Sequence, residues 1–351
     1  MPDVTVSTAL APHTTLRLGG PAKRTVTATT RDELVAAVRA VEGPLLLLAG
    51  GSNVVIADEG VDATAVLIRT RGISVDEVSG FGGDTVAVTV EAGHEWDDVV
   101  ATCVERGFAG IECLSGVPGS AGATPIQNVG AYGQEVAETI RSVRVLDRWT
   151  GDVVELPAAE CGFAYRTSIF KGEDRYVVLA VTFALRRSHL SGPLRYAELA
   201  RALAAHTGEQ VPLTRAREAV LALRKAKGMV LDPDDADTRS VGSFFTNPVV
   251  SADEFAALVE RAGTTPPSWP ETGGQVKVSA AWLIEHAGFT KGYAGQHLGV
   301  SVSTKHTLAL TNRGTGSTAA LLGLAREIRD GVFARFGLLL RPEPVLVGCR
   351  L

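Results

Sequence analysis

The sequence predicts an α+β fold in more than one domain. Three observations carry this expectation. Apolar and polar residues alternate through residues 64–92, as AVLIRT and then TVAVTVEAG, which reads as antiparallel strands. Capped helical patterns gather instead after residue 190. The length, 351 residues, exceeds one typical domain.

Taken in order, HTTLRLGGPA (His13 to Ala22) is a polar-to-glycine turn before a short strand over Thr25 to Thr29. Thr30 and Glu33 predict a capping box for a helix through Val41, stopped by Gly43 and Pro44. Leu45 to Leu48 reads as a buried strand, and Val54 to Ile56 as another. Trp96 to Arg106 is helical, with Val99, Val100, Cys103 and Val104 on one side and Gly107 as the stop. Ile140 to Leu146 and Asp152 to Leu156 form a hairpin around Thr150 and Gly151, and Tyr176 to Leu185 is a strand. Composition shifts near Arg186 to Pro193. Helices follow near Tyr196–Ala205, Thr214–Lys227, Ser251–Ala262 (with a Ser251/Glu254 capping box) and Ser279–Ala287. Val300 to Leu310 reads as one strand, Ser317 to Phe336 as a long amphipathic helix ended by Gly337, and the tail as a strand broken at Pro342. Gly314 to Ala319 matches GxGxxA, but near the C-terminus with one short strand beyond it. It reads as a turn and helix cap rather than a dinucleotide fingerprint.

The totals narrow the function. Composition is 45% apolar and 21% charged, ordinary for a soluble globular protein, and the net charge of −5 gives no global pull on nucleic acid. An anionic ligand would need a local cationic pocket. The opening MPDVTVSTALAPHTT lacks a basic region followed by an apolar one, so no secretory signal is expected. The apolar run LLLLAGGSNVVIA is broken by GGSN, so no membrane span is expected, and a cytoplasmic location follows. The four cysteines form no CxxC and are expected as free, mostly buried thiols. The seven histidines show no HxxxH or HExxH, so no metal site is expected.

Ser115 to Gly133, SGVPGSAGATPIQNVGAYG, is the most informative stretch. It holds no charge, two prolines (Pro118, Pro125) and five glycines (Gly116, Gly119, Gly122, Gly130, Gly133). Glycines let a ligand approach the backbone closely, and the neutral polar side chains add donors and acceptors. The result suits a planar polar ring and phosphates. A long surface loop is the plain alternative, although surface loops are usually more charged. Gly50-Gly51-Ser52-Asn53 opens an extended segment rather than a helix, so any phosphate there is held by a loop between strands, and a tight turn without ligand is equally open.

These two loops, with HTTLRLGG and the motifs below, resemble the UDP-N-acetylenolpyruvoylglucosamine reductase family in order along nearly the whole chain. The resemblance implies a flavoenzyme of peptidoglycan precursor synthesis, and so of cell-wall biogenesis. FAD would be bound non-covalently, with NADPH as reductant. It implies a two-part FAD-binding domain of the vanillyl-alcohol-oxidase (PCMH) type over residues 1–187, divided near 68. A C-terminal α+β substrate domain would span 188–351, its last strand packing back on the first part. Gly50, Gly51, Ser52, Asn53, Gly116, Gly119, Ser120, Gly122, Ala123, Thr124, Gln127, Asn128, Gly130, Ala131 and Tyr132 are then the expected cofactor contacts.

Tyr165-Arg166-Thr167-Ser168 matches the family's tyrosine–arginine motif with its third position varied, which implies Arg166 as the catalytic arginine and Tyr165 as a substrate contact. A fixed guanidinium would fork onto the substrate carboxylate as charge builds there. Ser243, in GSFFTNP, matches the family's proton-donating serine, and Asn247 a substrate contact. Glu343, flanked by Pro342 and Pro344, matches the catalytic glutamate. Tyr196, in PLRYAEL, matches the loop tyrosine of one family variant, expected over the diphosphate. Lys227 resembles a nucleotide-binding lysine, although GMVLDPDDADTRS intervenes before GSFF, and His306 stands where the family has histidine or glutamine. No metal, nucleic-acid, membrane or obligatory protein partner is implied. Two rivals are a different flavin oxidase on the same domain and a non-enzymatic nucleotide-sugar binder. The motifs beyond residue 190 argue against the first, and intact Arg166, Ser243 and Glu343 against the second.

Overall fold

The computed structural model describes residues 3–77 and 84–351; residues 78–83, within the stretch read above as strands, lie outside the described residues. The chain divides into two compact units. One takes in residues up to 8, 22–50 and 62–226, and the other 9–21, 51–61 and 227–351.

In the first unit, one sheet orders the strands Asp3–Ala9, Pro21–Ala28, Val61–Ile68 and Leu45–Leu48. The helix Arg31–Arg39 starts at the expected box: the Thr30 hydroxyl accepts the Glu33 N–H, and the Glu33 carboxylate reaches back to the N-cap backbone. Val61–Ile68 pairs in parallel with Leu45–Leu48, which corrects the antiparallel expectation for that part of the stretch. Pairing is set by the connection, and residues 49–60 are long enough for the crossover a parallel pair requires.

The second sheet orders Val153–Pro157, Ile140–Asp147, Tyr176–Arg187, Thr85–Glu91 and Ile73–Glu77, each pair antiparallel. Val86, Val88 and Val90 are fully buried in a core shared with Trp96, Val99, Val100 and Cys103 of the helix Trp96–Glu105. Helices Ala197–Ala202 and Leu213–Ala226 build a smaller cluster with Cys113 and Leu194.

The core of the second unit is the helix Thr318–Phe336, whose Leu321, Leu324, Ile328 and Val332 are fully buried among Phe244, Leu283 and Val302. Ser317 caps its start by accepting the Ala320 N–H, and Gly337 ends it at φ +72. The GxGxxA stretch is therefore a turn and a cap. Val345–Val347 pairs in parallel with Val54–Ile56. A three-stranded sheet of Val249–Val250, Val276–Val278 and Ser268–Pro270 went unanticipated because strands this short show no periodicity.

One further expectation is corrected. Val300–Leu310 is not one strand; Val300–Val302 and Leu310–Asn312 form an antiparallel pair around a turn. The Ser303 hydroxyl accepts the backbone N–H groups of Lys305 and His306, which ends the first strand. The two compact units follow their own division of the chain. Residues 188–226 belong to the first unit, while 9–21 and 51–61 belong to the second. The composition shift at Arg186 to Pro193 coincides with the end of the strand Tyr176–Arg187. No helix among the described residues is long and apolar enough to cross a membrane.

Candidate functional site

In the first unit, the uncharged loop lies flat against the segment between the strand Thr85–Glu91 and the helix Trp96–Glu105. Gly122 N donates to Ala92 O at 2.9 Å, Ala121 N to His94 O at 2.9 Å, and Trp96 N to Gly119 O at 3.0 Å. A Cβ on Gly122 would fall 2.5 Å from the Ala92 Cβ, so only glycine permits this approach. The two glycine loops meet at one point of this unit: a Cβ on Gly50 would fall 2.7 Å from the Gly119 Cα. Asp97 anchors the start of the loop by accepting Gly116 N–H at 2.6 Å while Arg217 forks onto both its oxygens at 2.6 and 2.8 Å. Burial pushes the Asp97 carboxyl up, but these donors outweigh it and hold it below its ordinary range.

The end of the loop is a hairpin. Gly130–Ala131 pairs with Gln134–Glu135, and Tyr132 (φ +48) and Gly133 (φ +84) form its tip with the two positive φ values of a type I′ turn. Tyr132 meets Tyr196 edge-on at 5.4 Å between ring centres. Burial raises the Tyr132 phenol to about 12, so it stays protonated at neutral pH.

Two expected cofactor contacts have their side chains engaged within the loop. The Thr124 hydroxyl donates to Ala121 O at 2.7 Å. The Asn128 amide donates to Glu135 Oε2 at 2.8 Å and Ala164 O at 3.1 Å, and its Oδ1 accepts Ala137 N–H at 3.2 Å. Both hold the cradle's shape.

Arg166 stands at the corner of a tight turn closed by Ala164 and Thr167, whose N–H groups each donate to the other's carbonyl. Its φ of +54 is unusual for a non-glycine residue. The side chain folds back onto the loop: Nη2 donates to Gly130 O at 2.8 Å and Nη1 to Asn128 O at 3.3 Å, with Glu135 3.9 Å away. Tyr165 lies under the guanidinium, 5.2 Å from carbon to ring centre.

In the second unit, Ser243 and Glu343 sit on adjacent, hydrogen-bonded segments. Phe244 O accepts Glu343 N–H at 2.9 Å, and Thr246 N donates to Arg341 O at 3.1 Å. On the other side, Phe244 N donates to Leu308 O at 2.7 Å, and Ser243 bridges Ala309. The turn carrying His306 therefore flanks the serine segment directly. Phe244 and Phe245 are buried and fix this strip, while Ser243 and Glu343 are half-buried. Asn247 Oδ1 accepts Ala280 N–H at 2.9 Å, so it anchors the start of the helix Ala280–His286. Lys227 opens the last and longest segment of this unit. The boundary between units falls inside GGSN, leaving Gly51, Ser52 and Asn53 here; Gly51 O accepts Thr15 N–H at 3.1 Å, and Asn53 O accepts Val345 N–H at 3.0 Å.

The stretch after Lys227 has a structural role the sequence did not reveal. Asp237, 3% exposed, accepts Thr304 N–H at 2.9 Å and pairs with Arg313 at 2.7 Å, and Asp235 pairs with Lys305. Together they clamp the His306 turn. Burial pushes the Asp237 carboxyl up, but bonds from Thr304 and the Arg313 charge outweigh it, leaving it below its ordinary 3.8. A depressed folded pKa stabilises the fold above the ordinary carboxylate range, and this contribution is lost as pH falls through the folded value. Asp237→Asn should cost about 1–3 kcal/mol at neutral pH. Urea midpoints of variant and parent should converge as pH drops below about 4.

A fit to FAD rests on the cradle itself. Gly50, Gly119 and Gly122 keep it narrow, and the Ser120 hydroxyl is buried without a hydrogen-bond partner among the described residues. No group of three potential metal ligands exists among them.

The family model described as "FAD binding domain" matches residues 22–157, and that described as "UDP-N-acetylenolpyruvoylglucosamine reductase, C-terminal domain" matches 232–347. A UDP-N-acetylenolpyruvoylglucosamine reductase of Salinispora arenicola (strain CNS-205) is 60% identical over 97% of this chain and 95% of its own length. The chain belongs to the UDP-N-acetylenolpyruvoylglucosamine reductase family. A second relative of that name, from Thermobifida fusca (strain YX), is 57% identical over 97% of both chains. The solved UDP-N-acetylenolpyruvylglucosamine reductase of Thermus caldophilus shares the fold, with a TM-score of 0.63 at 22% identity and 99% coverage of each chain. As a member of this reductase family, the protein is an FAD-dependent oxidoreductase with an α+β fold.

Proposed function

We propose that this reductase converts the enolpyruvyl group of UDP-N-acetylglucosamine enolpyruvate into the lactyl ether of UDP-N-acetylmuramate, with NADPH as reductant, in cytoplasmic peptidoglycan precursor synthesis. The first unit would hold the cofactor and the second much of the substrate. The observation that carries this is Arg166, a guanidinium pinned to two carbonyls of the uncharged loop.

FAD, when bound and reduced by NADPH, would supply a hydride to the substrate's β-carbon, and negative charge would spread through the α-carbon onto the carboxylate. Arg166 stabilises that charge, and its prior attachment to Asn128 O and Gly130 O means little reorganisation is needed. The Ser243 hydroxyl then delivers a proton to the α-carbon, which is basic enough to take it from a weak acid. Glu343, between Pro342 and Pro344, is held beside the serine segment by its own backbone N–H. Tyr165, Lys227, Asn247 and His306 belong to the substrate in this scheme. The cradle residues from Gly50 to Asn53 and Gly116 to Tyr132 belong to FAD.

Tyr196, 42% exposed and edge-on to Tyr132, is assigned to the diphosphate. Tyr196→Phe should raise KM for the nucleotide sugar several-fold and leave the flavin spectrum unchanged. Steady-state kinetics with a visible spectrum checks this, and loss of flavin would refute the assignment.

A further inference from the structure

We infer that Glu112 is a positioning residue, a buried carboxylate that couples the loop hairpin to the segment bearing Tyr196. The inference rests on the assignment of Tyr196 to the substrate. Glu112 is 0% exposed, and among the described residues its partners are all neutral donors. Oε2 accepts Gly110 N–H at 2.7 Å; Oε1 accepts Gly192 N–H at 2.8 Å and the Gln134 amide at 2.9 Å. A buried carboxylate held without a countercharge costs stability unless fully hydrogen-bonded. Here the bonds join two functional pieces of chain.

Gln134 lies on the hairpin, paired with Ala131 beside Tyr132. Its Oε1 accepts Cys113 N–H at 2.8 Å, which fixes the amide so that its NH₂ faces Glu112. Gly192 opens the run to Tyr196. Arg195 in that run packs on the hairpin tip, where a Cβ on Gly133 would fall 2.8 Å from the Arg195 Cβ, and it pairs with Glu138 at 2.7 Å. One carboxylate oxygen thus takes a donor from each side of the Tyr132–Tyr196 contact.

Glu112→Gln tests the coupling with almost no change in volume. Both carboxylate oxygens accept, so the new NH₂ must face an N–H donor at Gly110 or at the Gln134 and Gly192 pair. Turning Gln134 to relieve this would forfeit its bond to Cys113. The FAD-loaded Glu112→Gln enzyme should show KM for UDP-N-acetylglucosamine enolpyruvate raised about tenfold, equal to 1.4 kcal/mol. Its flavin spectrum and rate of reduction by NADPH should be near normal, and amide exchange across residues 192–196 should be faster. Combined with Tyr196→Phe, it should raise KM no further than the larger single effect, since both act through one ring. If Tyr196→Phe raises KM and Glu112→Gln does not, the coupling is refuted. If Tyr196→Phe leaves KM unchanged, the assignment of Tyr196 fails, and the exchange decides the coupling: unchanged exchange refutes it and faster exchange upholds it. Should Glu112→Gln not fold, Gln134→Met removes the amide at similar length and is read by the same measurements.

Discussion

Replacing Ser243 with alanine will leave the flavin reducible by NADPH and stall its reoxidation by the nucleotide sugar. The two half-reactions separate the possibilities. Reduction needs no proton at the substrate carbon, whereas reoxidation places one on the α-carbon. A positioned acid contributes about 10²–10⁴-fold, or roughly 3–5 kcal/mol of barrier. The fold should tolerate the change, because the segment is held by the Phe244 backbone, with N–H to Leu308 O and C=O from Glu343 N–H, and by two buried phenylalanines. Rapid mixing without oxygen follows each half by absorbance. A reoxidation rate within a few-fold of the parent would make Ser243 an ordinary turn residue.

Arg166→Lys should slow the same half-reaction by about 10²–10³-fold, the range for losing one donor aimed at developing charge. Charge is kept, so the loss isolates the fork. A lysine ammonium cannot hold Gly130 O and Asn128 O as the guanidinium does while still facing a carboxylate in a fixed plane. The backbone at φ +54 strains lysine as much as arginine, so folding should change little. Stopped-flow reoxidation at saturating substrate measures the step, and a rate like the parent's would remove Arg166 from the chemistry. Reduction by NADPH serves as the internal control in the same samples.

Much of this architecture is local and was legible. The capping boxes at Thr30/Glu33 and Ser251/Glu254, the hairpin at Thr150–Gly151 and the cap at Ser317 are written in residues three or four apart. The uncharged loop and the arginine, serine and glutamate motifs were visible for the same reason. What escaped depends on distant partners. The parallel pairing of Val61–Ile68 follows from where the intervening chain goes, not from its own alternation. Glu112 looks like a surface charge between Ile111 and Cys113 until Gly192 supplies its donor. Asp97 and Arg217 lie on helices read separately. Asp237 sat in a stretch that looked like an added acidic loop, yet it clamps the His306 turn through Thr304 and Arg313. A lone Glu in an apolar lead-in, and one Asp within an acidic cluster, were the only signals available.

The most direct test is reoxidation of the NADPH-reduced enzyme by UDP-N-acetylglucosamine enolpyruvate under strict exclusion of oxygen. The predicted result is rapid return of oxidised flavin absorbance, with one UDP-N-acetylmuramate formed per flavin. Flavin that stays reduced until oxygen is admitted, whatever the substrate concentration, would contradict it.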